Sequence, residues 1–330
     1  MKKWIQFSLF LIFMFTCSTV YWMKKKYSLP FYKYIYHQSP VEVVNIEPNL
    51  GIFFAETTEK LEPSTLAVCA IESASHNYPD RSVYLFMKGL TKDMTISNNP
   101  SYKGISLLSS LKNVHILPLN FEELFKDTPL LPWYQKVNPV KEIYWTHISA
   151  DGFRLAMIWK HGGIYMDTDI ISMRPIQEVD FLAAEGSRDC SNGIFGFQRH
   201  YQYLWECMED FVKNYNGAIW GQQGPRLLTR ILARRCELPI FKHVEDTTCG
   251  NISILHPQRF YPIPYSAWRR YFEVWDPLGT FNNSYALHLW NFMNKDMKKV
   301  TAESNTVAEN LFIKYCPLTY EFIVKATPRK

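Results

Sequence analysis

The sequence predicts an α/β protein with a mixed, mainly parallel sheet, preceded by one N-terminal transmembrane helix. Two observations predict the sheet: short strand-like runs alternate with helix-length segments from residue 51 onward, and apolar residues make up 47% of the 330-residue chain. This alternation is typical of parallel sheets covered by helices, and the apolar content suits a large core rather than a disordered chain. The third observation is an uncharged stretch at residues 4–23, which predicts the membrane helix.

Residues 4–23, WIQFSLFLIFMFTCSTVYWM, contain no charged residue, proline or glycine. About 20 residues at ~1.5 Å each span a hydrocarbon core of ~30 Å, and aromatic rings at both ends favour the membrane interface. The stretch predicts a signal-anchor. The alternative is a cleavable signal peptide, because TCST offers small residues after a shorter apolar core. Residues 1–3 would then be a cytoplasmic tail and residues 24–49, which contain three prolines, a stem.

Lysines flank both ends of this segment, so the positive-inside rule does not decide its orientation. Of the 36 basic side chains five are these lysines, which leaves 31 against 31 acidic ones and gives no basic footprint for nucleic acid. An even number of cysteines outside the segment suits up to three disulfides in an oxidising lumen, as do glycosylation sequons at Asn251 and Asn282. The six cysteines are Cys69, Cys190, Cys207, Cys236, Cys249 and Cys316.

Residues 50–330 are expected to form the lumenal domain, with strands and helices in alternation. Gly162 and Gly163 are predicted to end its longest helix, because glycine is the preferred residue just beyond a helix C-terminus. The predicted strands are 51–57, 82–89, 114–119, 163–166, 180–185 and 193–197. The predicted helices are 62–79, 106–113, 141–163, 202–215 and 224–236, followed by a less regular aromatic-rich end.

Asp167 and Asp169 follow the apolar strand GIYM, and ligands of open α/β sheets bind at the carboxyl ends of strands. Residues two apart in an extended chain point to the same side, so the pair can present oxygens to one hard cation such as Mg²⁺ or Mn²⁺. The alternative is a solvated turn or a salt bridge. A cation would offset the cost of clustering two carboxylates and would neutralise a diphosphate.

Asp151 and Arg154 are spaced i, i+3 on the helix that leads into this strand. Such a pair is an ordinary helix salt bridge on spacing alone. Beside a metal-bound diphosphate, however, a carboxylate and a guanidinium can hold sugar hydroxyls and phosphate oxygens. The spacing therefore leaves a structural and a ligand-binding interpretation open.

The stretch DGFRLAMIWKHGGIYMDTDII, residues 151–171, resembles the D-x-x-R…GG-x-Y-x-D-x-D signature of glycosyltransferase family 32, whose members contain a DXD sugar-binding region. FMKGLT, WTHISAD, SNGIFGF, GQQGP, HPQRFYPI and YALHLWN match the α1,4 branch of that family. The resemblance implies a GT-A type nucleotide-sugar-binding fold, a UDP-sugar donor, Mn²⁺ or Mg²⁺, retention at the anomeric carbon, and a single-pass type II anchor in the Golgi membrane with a lumenal catalytic domain.

The implied reaction is transfer of GlcNAc from UDP-GlcNAc in α1,4 linkage to a terminal galactose of core 2 branched, mucin-type O-glycans. The alternative is an α1,4-galactosyltransferase that uses UDP-galactose on lactosylceramide or another glycolipid. A second alternative is a non-catalytic, metal-dependent carbohydrate-binding protein. Donor pockets discriminate through contacts worth about 1–3 kcal/mol, so the sequence separates the two enzymes poorly.

The resemblance also assigns roles to residues. Asp151, Arg154, Asp167 and Asp169 would bind the donor, and His288 would complete the metal site of Asp167 and Asp169, unless it is a core histidine. The amides of Gln222 and Gln223 would lie under the anomeric carbon, and Asn192 would contact donor or acceptor. No carboxylate nucleophile can be named, although double displacement usually needs one.

Two features stay open. Cys190 departs from the α1,4 branch, and a free thiol at this position is an alternative to a third disulfide. One of four tryptophans is a candidate for stacking on a sugar face, and the sequence does not say which. These are Trp145, Trp220, Trp268 and Trp290.

Overall fold

The computed structural model describes residues 46–91, 101–237, 245–277 and 280–327. The predicted tail and membrane anchor, and all but the last four residues of the predicted stem, lie outside these ranges. In the described residues no helix is both long and apolar enough to cross a bilayer.

Within the described ranges, ten strands form two sheets. The larger sheet has the order β3-β2-β1-β4-β7-β6-β9-β8, and β5 pairs with β10 in a separate antiparallel ribbon. Four pairings of the large sheet are parallel and three are antiparallel, which confirms the predicted mixed, mainly parallel α/β class. The strands are β1 (Ile52–Glu56), β2 (Val83–Met87), β3 (Val114–Pro118), β4 (Gly163–Met166), β5 (Ile170–Ser172), β6 (Phe181–Ala184), β7 (Cys190–Phe197), β8 (Thr247–Cys249), β9 (Ile252–Leu255) and β10 (Ala286–His288).

Helices cover both faces of the sheet, as parallel sheets require. Along β1, Ile52 and Phe54 pack in the core cluster that includes Val68 of α1, whereas Phe53 stacks on Tyr84 with ring centroids 5.3 Å apart. The α-helices are α1 (Thr65–Asn77), α2 (Lys103–Leu108), α3 (Phe121–Phe125), α4 (Leu130–Lys136), α5 (Trp145–His161), α6 (Gln202–Lys213), α7 (Pro225–Leu232), α8 (Val307–Tyr315) and α9 (Pro317–Thr319). Short 3₁₀-helices lie at Pro139–Lys141, Pro257–Arg259, Tyr265–Phe272 and Asn291–Met293, and a π-helix at Tyr320–Val324.

The two glycines after α5 end the helix as predicted. Gly162 has φ +66° and Gly163 has φ +107°, which are conformations that side chains disfavour. A Cβ on Gly163 would lie 2.2 Å from the carbonyl oxygen of Gly51, so glycine also allows β4 to enter the sheet beside β1. The turn from α5 into β4 therefore fixes the position of the segment that follows β4.

The helix predicted at 106–113 is wrong in its bounds, because α2 covers Lys103–Leu108. Ser109 and Ser110 close it instead of continuing it. The Ser110 hydroxyl donates to the carbonyl of Leu107 at 2.6 Å, and the Ser110 N–H bonds to the same oxygen, which are the tight bonds typical of a helix end.

Two disulfides form, Cys69–Cys316 and Cys236–Cys249, while Cys190 and Cys207 are buried free thiols. Two of the three disulfides that the cysteine count allows are therefore present, and Cys190 is a free thiol, as its departure from the α1,4 branch suggested. Burial raises the pKa of the Cys190 thiol to about 12, so it stays protonated. The sequon residues Asn251 and Asn282 are both exposed, and their glycosylation stays a prediction.

Candidate active site

Asp167 and Asp169 lie where the sequence places them, just beyond the carboxyl end of β4. The Asp167 N–H donates to the carbonyl of Gly193 in β7 at 2.8 Å. The Asp169 side chain accepts the N–H of Asn291 at 2.8 Å, and its carbonyl accepts the N–H of Leu289 at 2.9 Å. Backbone contacts to two distant segments thus hold both aspartates at this edge of the sheet.

His288 joins the two aspartates through the small β5–β10 ribbon, in which it lies opposite Ile170. Its Nε2 is 3.3 Å from Asp169 Oδ1 and 3.9 Å from Asp167 Oδ2. Trp290 donates its N–H to the other ring nitrogen at 3.2 Å, which orients the imidazole. The three side chains each offer one ligand atom, and these atoms lie within 4.8 Å of one another.

Asp151, Arg154 and Asn192 form a buried network next to this cluster. Arg154 Nη1 donates to the carbonyl of Asn192 at 2.6 Å and lies 3.2 Å from Asp167 Oδ1. Asn192 Nδ2 donates to Asp151 Oδ1 at 2.6 Å, and Arg154 Nη2 is 3.5 Å from the same oxygen. Arg154 therefore links the helix pair to the DTD segment instead of serving only as an i, i+3 helix bridge.

Burial and neighbouring charges shift the pKa of each side chain in the cluster. Burial raises the pKa of Asp169, with Asp167 adding to the rise. Burial also acts to raise the pKa of Asp167, but Arg154 and His288 outweigh it and hold that pKa below its usual range. Burial lowers the pKa of His288, and the two carboxylates overcome this effect so that its pKa is raised.

The Asp151–Arg154 pair shows the same competition. Burial raises the pKa of Asp151 to about 6 despite Arg154 and Asn192. Burial works against the Arg154 charge, but Asp167, Tyr165 and Asp151 raise its pKa, so the guanidinium stays charged. A fully ionised cluster has more carboxylates than its one guanidinium can balance, which favours a bound cation.

The donor set fits a divalent cation. Two carboxylate oxygens and one imidazole nitrogen suit Mn²⁺, and carboxylates suit Mg²⁺. The Tyr271 hydroxyl is buried within charge range of Asp169 and has no hydrogen-bond partner in the described residues. Such orphaned groups are typical where water, an ion or a ligand completes a site.

Two glycines border the network closely. A Cβ on Gly193 would be 3.0 Å from Asp167 Oδ2 and 3.4 Å from the His288 ring. A Cβ on Gly224 would be 2.5 Å from Asn192 Nδ2 and 2.8 Å from Asp151 Oδ1. Both the SNG and the GQQGP motifs therefore reach the site, and a side chain at either glycine would crowd its carboxylates.

The two glutamines of GQQGP differ in accessibility. Gln223 is 2% exposed, its amide nitrogen donates to the carbonyl of Phe211 at 2.7 Å, and its amide oxygen accepts the N–H of Asn216 at 3.2 Å. Gln222 is half-buried, and its carbonyl accepts a bond from Arg230. Both ends of the Gln223 side-chain amide therefore already have hydrogen-bond partners within the protein. Gln222 is the glutamine of this pair whose side chain is better placed to contact a ligand.

Sequence reasoning missed two groups beside the site, Tyr165 and Glu185. The Tyr165 hydroxyl donates to Asp167 Oδ1 at 2.5 Å, and the Arg154 guanidinium lies 4.6 Å from the Tyr165 ring centre. Glu185 lies within charge range of His288, and burial raises its pKa. Tyr165 stands two residues before Asp167, and this spacing in a strand is a signal that the two point to one side.

Two known families match the chain in tandem. Residues 64–185 match the glycosyltransferase sugar-binding region containing the DXD motif, and residues 196–323 match the alpha 1,4-glycosyltransferase conserved region. Asp151, Arg154, Asp167 and Asp169 lie in the first region, and His288 lies in the second.

Two curated relatives are similar over most of their length. The human alpha-1,4-N-acetylglucosaminyltransferase is 51% identical over 98% of this chain and 96% of its own length. The rat lactosylceramide 4-alpha-galactosyltransferase is 40% identical over 82% of this chain and 75% of its own length. Among solved structures, the galactosyltransferase LgtC in complex with donor and acceptor sugar analogues is 13% identical, with a TM-score of 0.42 over 84% of this chain and 98% of that chain.

Proposed function

This chain belongs to the α-1,4-glycosyltransferase family with a DXD sugar-binding region, and from that membership we infer that it transfers GlcNAc from UDP-GlcNAc in α1,4 linkage to a terminal galactose. The proposed acceptor is a core 2 branched, mucin-type O-glycan. The single observation that carries the proposal is the 51% identity to an α-1,4-N-acetylglucosaminyltransferase over nearly the whole chain, against 39–40% to the galactosyltransferases.

The proposed roles follow the geometry of the site. Asp167, Asp169 and His288 hold Mn²⁺, which neutralises the diphosphate of UDP when bound. Arg154 and Asp151 position the donor sugar, because their charged groups lie beside Asp167 and are linked to each other through Asn192. The donor-binding and metal-binding residues of the sequence analysis are thus proposed to work as one network.

We further propose a GT-A type fold and retention at the anomeric carbon. In a front-face reaction the acceptor hydroxyl attacks the anomeric carbon on the side of the leaving group, and an oxygen of the departing UDP takes its proton. This route needs no carboxylate nucleophile. Gln222 and Asn192 are the amides proposed to lie near that carbon. Gln223 is proposed to support the loop instead, because both ends of its side-chain amide already bond to the backbone of Phe211 and Asn216.

The proposed setting is the Golgi membrane, with residues 4–23 as a type II anchor and the catalytic domain in the lumen. Two disulfides and two exposed sequons support an oxidising, glycosylating compartment. Treatment with an N-glycosidase tests the lumenal placement. The wild-type band should shift on an electrophoresis gel after treatment, and the band of an Asn251→Gln/Asn282→Gln variant should not.

Parallel assays of the full-length chain in detergent test the donor. UDP-GlcNAc and UDP-galactose are each offered with Mn²⁺ and a galactose-terminated acceptor, and the product linkage is determined by NMR. Faster transfer of GlcNAc with an α anomeric signal supports the proposal. Faster transfer of galactose would favour the galactosyltransferase alternative, and carbohydrate binding without UDP release would favour the non-catalytic one.

A further inference from the structure

An exposed pair of aromatic rings lies on segments that border the site. Trp220 and Phe292 are stacked with ring centroids 5.6 Å apart and an interplanar angle of 17°. Trp220 is 46% exposed and Phe292 42% exposed, and exposed apolar side chains that lie side by side mark candidate ligand sites. The other tryptophans with sugar-stacking potential are less accessible: Trp268 and Trp290 are buried, and Trp145 packs on Tyr134.

Each ring is attached to the site by its own segment. Phe292 lies in the 3₁₀-helix Asn291–Met293, whose first N–H donates to Asp169 Oδ2 at 2.8 Å. Trp220 precedes the loop that brings Gly224 against Asp151 and Asn192. The aromatic pair thus joins the segment that holds the metal-binding carboxylate to the segment that closes on the donor-binding network.

His147 gives a second connection. Its ring meets Phe292 edge-on with centroids 4.8 Å apart, and it lies within charge range of Arg154 and Asp167. The aromatic pair is therefore continuous with the site and does not stand alone on the surface.

The rings of Phe292 and Trp220 differ in how many other side chains contact them. Phe292 has Trp220 stacked against it and the ammonium of Lys295 3.9 Å from its ring centre, so other groups already contact it. Trp220 has Phe292 as its one aromatic partner among the described residues and Ile219, 39% exposed, as its chain neighbour. Phe292 supports the indole, and the indole is the larger surface left for a ligand.

We propose that Trp220, supported by Phe292, binds the terminal galactose of the acceptor by stacking on its apolar face; the proposal rests on the function inferred above. One face of β-galactose carries the C–H bonds of C3, C4 and C5, and an indole is the largest flat apolar surface among side chains. The axial 4-hydroxyl projects from the opposite face. Stacking would therefore hold the sugar and leave uncovered the hydroxyl that an α1,4 transfer must use.

Steady-state kinetics of the full-length chain in detergent test this assignment. Trp220→Ala is expected to raise the KM for a galactose-terminated acceptor at least about tenfold, a loss that aromatic contacts of this kind can account for. The KM for the donor and the Mn²⁺-dependent hydrolysis of UDP-sugar without acceptor are expected to stay within about twofold of the wild type. Trp220→Phe, which keeps an aromatic face, should recover part of the acceptor affinity.

Phe322→Ala is the matched control, because Phe322 is 43% exposed and lies in the π-helix Tyr320–Val324. It should leave the acceptor KM unchanged. An unchanged acceptor KM in Trp220→Ala, an equal rise in Phe322→Ala, or a parallel rise in donor KM would overturn the assignment. The last result would mean that Trp220 only positions the GQQGP loop around the donor.

Saturation-transfer NMR separates this proposal from the proposed reaction. Methyl β-galactoside is expected to receive saturation at C3–H, C4–H and C5–H from the wild type and little from Trp220→Ala, whichever donor the enzyme uses. Methyl β-glucoside, whose C4–H bond lies on the other face, should give a weaker signal. Equal signals from wild type and Trp220→Ala would overturn the acceptor site even if GlcNAc transfer is confirmed.

Discussion

Two regions of the molecule bury carboxylates and treat them in opposite ways. Glu72, fully buried in α1, accepts the N–H of Leu318 at 2.8 Å and the N–H and hydroxyl of Thr319 at 2.7 and 2.6 Å. Asp169, which is partly buried, accepts the N–H of Asn291 at 2.8 Å, while its Oδ1 lies 3.3 Å from Nε2 of His288. The protein satisfies the first carboxylate by itself and leaves the second incomplete.

The difference teaches how to tell a structural acid from a ligand-binding one. Glu72 and the nearby disulfide Cys69–Cys316 fasten the C-terminal helices to α1, so its donors come from the chain. Asp167 and Asp169 lie at the carboxyl edge of the sheet, where burial raises the pKa of Asp169 while Arg154 and His288 outweigh burial and lower the pKa of Asp167. Burial without enough donors costs several kcal/mol, and a bound cation would remove that cost.

The largest effect should come from Asp169→Asn, which removes a charge from the proposed metal site. We expect the transfer rate to fall by about 10³-fold or more, in the range of losing an electrostatic group from an active site. The melting temperature of the metal-free protein should change by a few degrees at most. If the variant fails to fold, the carboxylate is structural and the comparison with Glu72 breaks down.

Glu72→Gln should show the reverse pattern. The amide brings N–H donors against the N–H groups of Leu318 and Thr319, so the free energy of unfolding should fall by about 3 kcal/mol. Activity per folded molecule should stay normal. Chemical denaturation with parallel transfer assays measures both, and a specific loss of activity without a loss of stability would contradict the structural role.

The pKa of Asp151 gives a test through pH. In the folded protein it is raised to about 6 from 3.8, so between these values the folded state holds a proton that the unfolded state has lost. The protonated Asp151 side chain contributes about 3 kcal/mol to the free energy of unfolding below pH 4, and this contribution is lost as the pH rises through 6. Denaturation at pH 4 and pH 7 in EDTA should show that loss in the wild type relative to Asp151→Asn. If the free energies of unfolding of the two proteins change with pH in parallel, the raised pKa of Asp151 is contradicted.

Arg154→Lys should have the smallest of these effects. Lysine keeps the charge but loses the planar fork, which bonds to the carbonyl of Asn192 while it faces Asp167 and Asp151. We expect kcat/KM for the donor to fall by about 10²-fold with little change in stability. Near-normal kcat/KM would mean that Arg154 only braces its helix.

The sequence predicted the parts of the fold that local patterns determine. The first four strands of the large sheet, the end of α5 at Gly162 and the place of Asp167 after β4 follow from apolar runs and turn residues. The short helices α3 and α4 were missed, although Asn120 caps α3 by accepting the N–H of Glu123. Their five and seven residues carry too little periodicity to stand out.

The candidate site divides in the same way. The Asp151–Arg154 spacing and the DTD segment are visible in the sequence, whereas the contact of His288 depends on a pairing between two three-residue strands far apart in the chain. The resemblance to the family supplied that contact in advance. The hydrogen bonds of the Gln223 side chain to Phe211 and Asn216 could not be predicted from the sequence, because the positions of both partners depend on how α6 packs.

Metal dependence of transfer by the full-length chain tests the central claim most directly. After dialysis against EDTA, transfer should fall below about 1% of its starting rate and return on addition of Mn²⁺, since the divalent ion supplies charge that the leaving diphosphate needs. Asp169→Asn should not recover at the same Mn²⁺ concentration. Undiminished transfer by the wild type in EDTA would contradict a metal site at Asp167, Asp169 and His288.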